Sequence, residues 1–93
     1  MSLPDIELLE ANHKFPGQFP IKVIGTNTDT FNKAIVQIFR EELRLDEDPE
    51  YSVRATKAGR HVSFSFSPTF ESAQQVLGVY ARINTVDGVV MIL

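Results

Sequence analysis

Apolar residues recur at two different spacings along this chain. The order in which the spacings alternate narrows the fold more than any other feature. From Phe19 to Gly25 the spacing is two: Phe19, Ile21 and Val23 alternate with Pro20, Lys22 and Ile24, which marks a strand. From Thr30 to Leu45 it becomes three and four. Phe31, Ala34, Ile35, Ile38, Phe39 and Leu43 then share one face of a helix, which Pro49 cannot continue. Tyr51–Lys57 and His61–Ser67 return to alternation on either side of Ala58-Gly59, the pattern of an antiparallel hairpin. A second helix is expected after Pro68, with Thr69 as N-cap and Phe70, Ala73, Val76, Leu77, Tyr80 and Ile83 as its apolar face. Gly78 lies inside that helix at a cost of about 1 kcal/mol relative to alanine. Val86–Leu93 reads as the closing strand, with Asp87-Gly88 as a bulge or a delayed start.

The order is β-α-β-β-α-β, and the expected fold is α+β and ferredoxin-like. Four antiparallel strands in the order 4-1-3-2 would carry both helices on one face. Residues 15–93 form the single domain. Residues 1–14 read as a polar N-terminal arm, in which Ser2 or Asp5 could cap a helical turn through Ile6, Leu8 and Leu9, too short to be stable alone. The expected core is Phe19, Ile21, Val23, Phe31, Ile35, Ile38, Phe39, Val62, Phe64, Phe66, Phe70, Ala73, Leu77 and Tyr80.

Composition enters as a set of exclusions. With no cysteine among 93 residues, disulfides, thiolate zinc sites, iron–sulfur clusters and a cysteine nucleophile are ruled out. A net charge of −3 disfavours nucleic-acid binding as the default role, because phosphate contacts need a basic field. The expected strand phase also turns Phe64 and Phe66 inward, leaving no stacking aromatics for RNA. The longest apolar run, Val89–Leu93, is far short of the roughly 20 residues that span a bilayer. No signal peptide is expected from the first residues. The reading is therefore a cytoplasmic protein with neither nucleic acid nor membrane as partner.

No residue set points to catalysis, a metal or a cofactor. His13 reads as a surface residue of the arm. His61, Ser63 and Asp87 could be written as a triad, but a flat sheet face offers neither an oxyanion hole nor a dry pocket. Glu41, Glu42, Asp46, Glu47, Asp48 and Glu50 crowd one segment without calcium-loop spacing. Those at the helix end oppose its macrodipole, so stability does not account for them. Arg54, Lys57, Arg60 and His61 gather around the hairpin, either as protection of an edge strand, as a small anion site or as a docking patch.

The stretch Phe15-Pro16…Phe19-Pro20-Ile21-Lys22-Val23-Ile24-Gly25 resembles the YbeD-like family of small uncharacterised bacterial proteins. Further matches are the helix from Phe31, Val62-Ser63-Phe64-Ser65, Gln75 and Tyr80 in the second helix, and Val90-Met91-Ile92-Leu93. The acidic Arg44–Glu50 connection and Arg60-His61 depart from that family's pattern. The resemblance implies a ferredoxin-like fold similar to ACT-type regulatory domains, and it supplies no catalytic residues. It suggests a non-enzymatic ligand-sensing domain whose small-molecule effector would sit at the loop Gly25, Thr26, Asn27 and Thr28. That loop lacks the arginine an acylphosphatase-like enzyme would need. The alternative is a protein-interaction module that docks through the basic hairpin or the open sheet face. A homodimer formed through the final strand or the adjoining open face is also expected. The final strand is apolar on both faces, and Ile24, Val90 and Ile92 would form a patch on the open side.

Overall fold

The computed structural model describes residues 3–93; Ser2, one of the two expected caps of the N-terminal turn, lies outside them. Asp5 is the cap. Its carboxylate accepts from the Glu7 N–H at 2.8 Å and opens α1 (Ile6–Asn12). This segment is more than a polar arm. Leu9 is buried and Ile6 packs on the core, so tertiary contact with a later helix supplies the stability that seven residues lack alone.

Two short strands, β1 (Gly17–Gln18) and β5 (Thr69–Phe70), form a ladder of their own beside the main sheet. The main sheet contains β2 (Ile21–Thr26), β3 (Tyr51–Ala55), β4 (His61–Phe66) and β6 (Val89–Ile92), all antiparallel. They lie side by side in the order β3-β4-β2-β6, so β3 and β6 are the two edges. The helices α2 (Asp29–Glu42) and α3 (Ala73–Ile83) pack against each other and bury their apolar stripes in the same core as the sheet.

The expected second helix starts later than its sequence suggests. Thr69 is not its N-cap; Ser72 is, accepting from the Gln75 N–H at 3.3 Å. Thr69 and Phe70 stay extended because they pair with Gly17 and Gln18. Phe70 still reaches the core, edge-to-face on Phe19. Leu77 and Tyr80 are only partly buried, while Val76, Val79 and Ile83 are fully buried. The inward face of α3 is thus turned slightly from the expected one. At Gly78 the two helices come close: a Cβ there would lie 3.0 Å from Glu42 Oε2 at the end of the flexible Glu42 side chain on α2.

The core strands keep the expected phase. Val23 and Phe64 face each other, as do Ile21 and Phe66, and all four are buried. Phe39 stacks on Phe66 at a centroid distance of 3.9 Å, which pins α2 to the sheet. Leu43 is the C-cap of the helix, and Arg44 follows with φ 54°. The Leu45 N–H then returns to the Arg40 carbonyl at 2.9 Å, a closing turn that usually carries glycine. Arg44→Gly is expected to raise stability by about 1 kcal/mol. The left-handed penalty of a side chain, about 1–2 kcal/mol, is partly offset by the chain entropy glycine adds. Urea unfolding checks this; a lower midpoint would show that the Arg44 side chain contributes more than its backbone strain costs.

Candidate interaction surface

The loop after β2 is the first expected site, and its polar groups are already engaged within the chain. The Thr26 N–H donates to the Gly88 carbonyl at 3.0 Å, and its hydroxyl donates to the same oxygen at 3.3 Å. Asn27 Nδ2 donates to the Gly59 carbonyl at 2.9 Å, and the Asn27 N–H to that of Arg60 at 3.1 Å. Thr28 Oγ1 caps α2 by accepting from the Phe31 N–H at 3.1 Å. Thr26 and Asn27 therefore tie β2 to the β6 turn and to the hairpin tip. Gly25 is buried, and a Cβ there would lie 2.7 Å from the Gly88 carbonyl oxygen and run into the Phe31 ring. Beside this loop a cleft of about 500 Å³ is lined by Thr28, Phe31, Ala34 and Val86, among others.

The sheet face opposite the helices follows from the alternation. Lys22 and Ile24 on β2 lie across from Ser65 and Ser63 on β4, which lie across from Ser52 and Arg54 on β3. Thr26 lies across from His61. A hollow of about 340 Å³ on this face is lined by Lys22, Arg54 and the three serines, together with Val53. Every charged side chain in these registers is basic, although the chain carries a net charge of −3.

At the β6 side the expected apolar patch needs one correction. Ile92 lies across from Val23, so it faces the helices and packs on the core. The cause is a bulge. Ile24 pairs with Met91, but Gly25 pairs with Val89, leaving Val90 as the extra residue. The bulge lets Val89 and Ile92 both face inward, which strict alternation forbids. The open-side apolar group is therefore Ile24 with Met91, flanked by the exposed Val90 and Leu93. Asp87-Gly88 is a turn that delays the strand start, with Gly88 at φ 98°.

The remaining polar clusters separate by role. Arg82 on α3 holds Glu41 at 2.7 Å and Glu42 at 3.3 Å on α2. Hydrogen bonds from Gln37 and then from Arg82 hold the Glu41 carboxyl below the usual carboxylate range. These two acids thus join the helices, a role their place at the end of α2 does not suggest. Arg40 donates to the Asp46 carbonyl at 2.7 Å and pairs with Asp48 at 3.3 Å. Glu47, Glu50, Arg54, Lys57 and Arg60 belong to none of the ion pairs among the described residues. His13 meets Phe19 edge-on at 4.6 Å. His61, Ser63 and Asp87 share no hydrogen bond among the described residues; the His61 N–H goes to Thr56 Oγ1. Among those residues no group of three His, Asp or Glu side chains could hold a metal ion. No helix among them is long and apolar enough to cross a membrane.

These features define a small α+β domain with helices on one side of an antiparallel sheet and a basic, partly apolar open face on the other. A family profile described as "Protein of unknown function (DUF493)" matches residues 10–93, and the chain belongs to that family. Among its relatives, the UPF0250 protein of Shewanella piezotolerans is 30% identical over 94% of this chain and 92% of its own length. The UPF0250 protein of Leptothrix cholodnii is 29% identical over 88% of this chain and 90% of its own length. The YbeD-like resemblance read from the Phe-Pro and Ile-Lys-Val-Ile-Gly residues is thereby established across most of the chain.

Proposed function

We propose that this domain acts by binding rather than by catalysis, as a cytoplasmic module that docks an acidic protein partner on its open sheet face. We further read its strand order as that of the ferredoxin-like plait. The observation that carries the docking reading is the charge of the open face. Lys22, Arg54 and His61 meet no acid in the strand registers around them, and Arg60 extends the basic surface at the hairpin tip. Ile24 and Met91 supply an apolar strip next to that field. A basic field steers an acidic partner, and an adjoining apolar strip retains it.

The ligand-sensing reading at Gly25–Thr28 has weaker support, because Thr26, Asn27 and Thr28 each spend hydrogen bonds on closing the fold. Thermal-shift measurements with the twenty amino acids at millimolar concentration discriminate the two. Docking predicts no stabilisation, whereas a specific rise in melting temperature would favour sensing. The docking surface itself is tested by affinity capture with mass-spectrometric identification. One acidic protein should be retained by the wild type, lost on Arg54→Glu/Arg60→Glu and on Met91→Lys, and kept by Gln74→Ala on the helix side. Equal retention by all four proteins would overturn the reading.

A further inference from the structure

The edge strand β3 is only partly used by the chain's own fold, where the Tyr51 ring rests against Phe64 and Phe66. All five of its residues are exposed. Tyr51 and Val53 face the helix side, opposite Phe66 and Phe64, yet keep 38% and 52% exposure. Beside Tyr51 a hollow of about 430 Å³ remains open between β3 and α2. The core is therefore unfinished at this edge. The chain before the strand holds Glu47 and Glu50, and the chain after it holds Lys57 and Arg60. None of these four charges has an ion-pair partner among the described residues. Unmatched acid at one end of a strand and unmatched base at the other is a self-complementary arrangement.

We propose that β3 is the pairing edge for a second copy of this chain, joined antiparallel about a two-fold axis at Val53. Two features fix that register. The Thr56 N–H donates to the His61 carbonyl at 2.9 Å, so by alternation Thr56, Arg54 and Ser52 turn their peptide groups toward β4. Tyr51, Val53 and Ala55 turn theirs outward. With Val53 opposite its own counterpart, outward groups meet outward groups, and Tyr51 falls opposite the second copy's Ala55. Side chains match in the same register: Tyr51, Val53 and Ala55 share the helix side in both copies, and Arg54 lies opposite Ser52 on the open side. Like charges never face each other within the strand. Continued one step past the strand, the register sets Glu50 of one copy opposite Thr56 of the other, beside Lys57, so the acidic approach to the strand meets the second copy's basic hairpin tip. Both copies gain the same contacts, as an isologous interface requires. The two sheets become one, and the open faces proposed for docking lie side by side.

Edge pairing predicts a mass twice the 10.5 kDa of the chain in light scattering at about 100 μM, falling toward the monomer as salt rises toward about 1 M. Two charge-reversed proteins test the register. Lys57→Glu/Arg60→Glu and Glu47→Lys/Glu50→Lys should each dissociate at least about tenfold more readily, because each opposes like charges. Mixed in equal amounts they should dimerise again, since each then meets its opposite. Val53→Pro removes an outward N–H without touching the β4 ladder and should give a folded monomer by circular dichroism. Met91→Lys, on the other edge, should leave the dimer intact. A monomeric wild type at low salt would overturn the proposal. So would a mixture of reversed proteins that stays monomeric, or a dimer split by Met91→Lys but not by the β3 changes.

Discussion

Phe64→Ala is expected to destabilise the domain by about 3–5 kcal/mol. Phe64 occupies the middle of β4, an interior strand, between Val23 on β2 and Val53 on β3. It is 1% exposed. Its ring lies 6.1 Å from that of Phe31 on α2 and 5.8 Å from that of Tyr51, with rings tilted or edge-on. Removing it loses apolar burial and aromatic contacts together. It also leaves a cavity that the paired strands on both sides cannot close. Small domains hold about 5–15 kcal/mol in total, so this one change removes a large share of the stability. Urea unfolding measures it; a loss below about 1 kcal/mol would mean that Phe64 does not lie between the sheet and α2.

That prediction rests on residues whose burial the sequence already dictates. Val62, Phe64 and Phe66 alternate with serine and histidine, and Phe31, Ile35, Ile38 and Phe39 keep helical spacing. Both patterns are local consequences of period, and the structure preserves them. What the sequence hides depends on partners distant along the chain. Thr69 is good capping chemistry, but pairing with Gln18 holds it extended. Leu9 stands in a helix too short to persist alone and is buried only because α3 lies against it. The acids at the end of α2 oppose its macrodipole when considered alone; Arg82, on a different helix, gives two of them a partner. At the candidate surface, the basic side of the open face follows from the alternation of β2, β3 and β4. The apolar side does not, because a bulge at Val90 moves Ile92 inward and Met91 outward. Period predicts faces, and one inserted residue reverses them.

Gly25→Ala is expected to cost about 3 kcal/mol, at the upper end of the usual range for overpacking a core. A glycine after a strand and before a helix N-terminus reads in sequence as room for a ligand. Here the room is filled by the protein itself. A Cβ at Gly25 would lie 2.7 Å from both Phe31 Cε1 and the Gly88 carbonyl oxygen. The carbonyl cannot retreat without releasing the Thr26 N–H, which it accepts at 3.0 Å. The Phe31 ring cannot swing away without disturbing the contact with Phe64. The two obstacles separate by a second change. Gly25→Ala/Phe31→Leu relieves the ring but not the carbonyl, and it should recover part of the loss relative to Phe31→Leu alone. A glycine kept for ligand approach would give a different result: Gly25→Ala would unfold within about 0.5 kcal/mol of the wild type, the range of substitutions outside the packed core. Equilibrium unfolding of the three variants thus decides between packing and ligand access as the reason for Gly25.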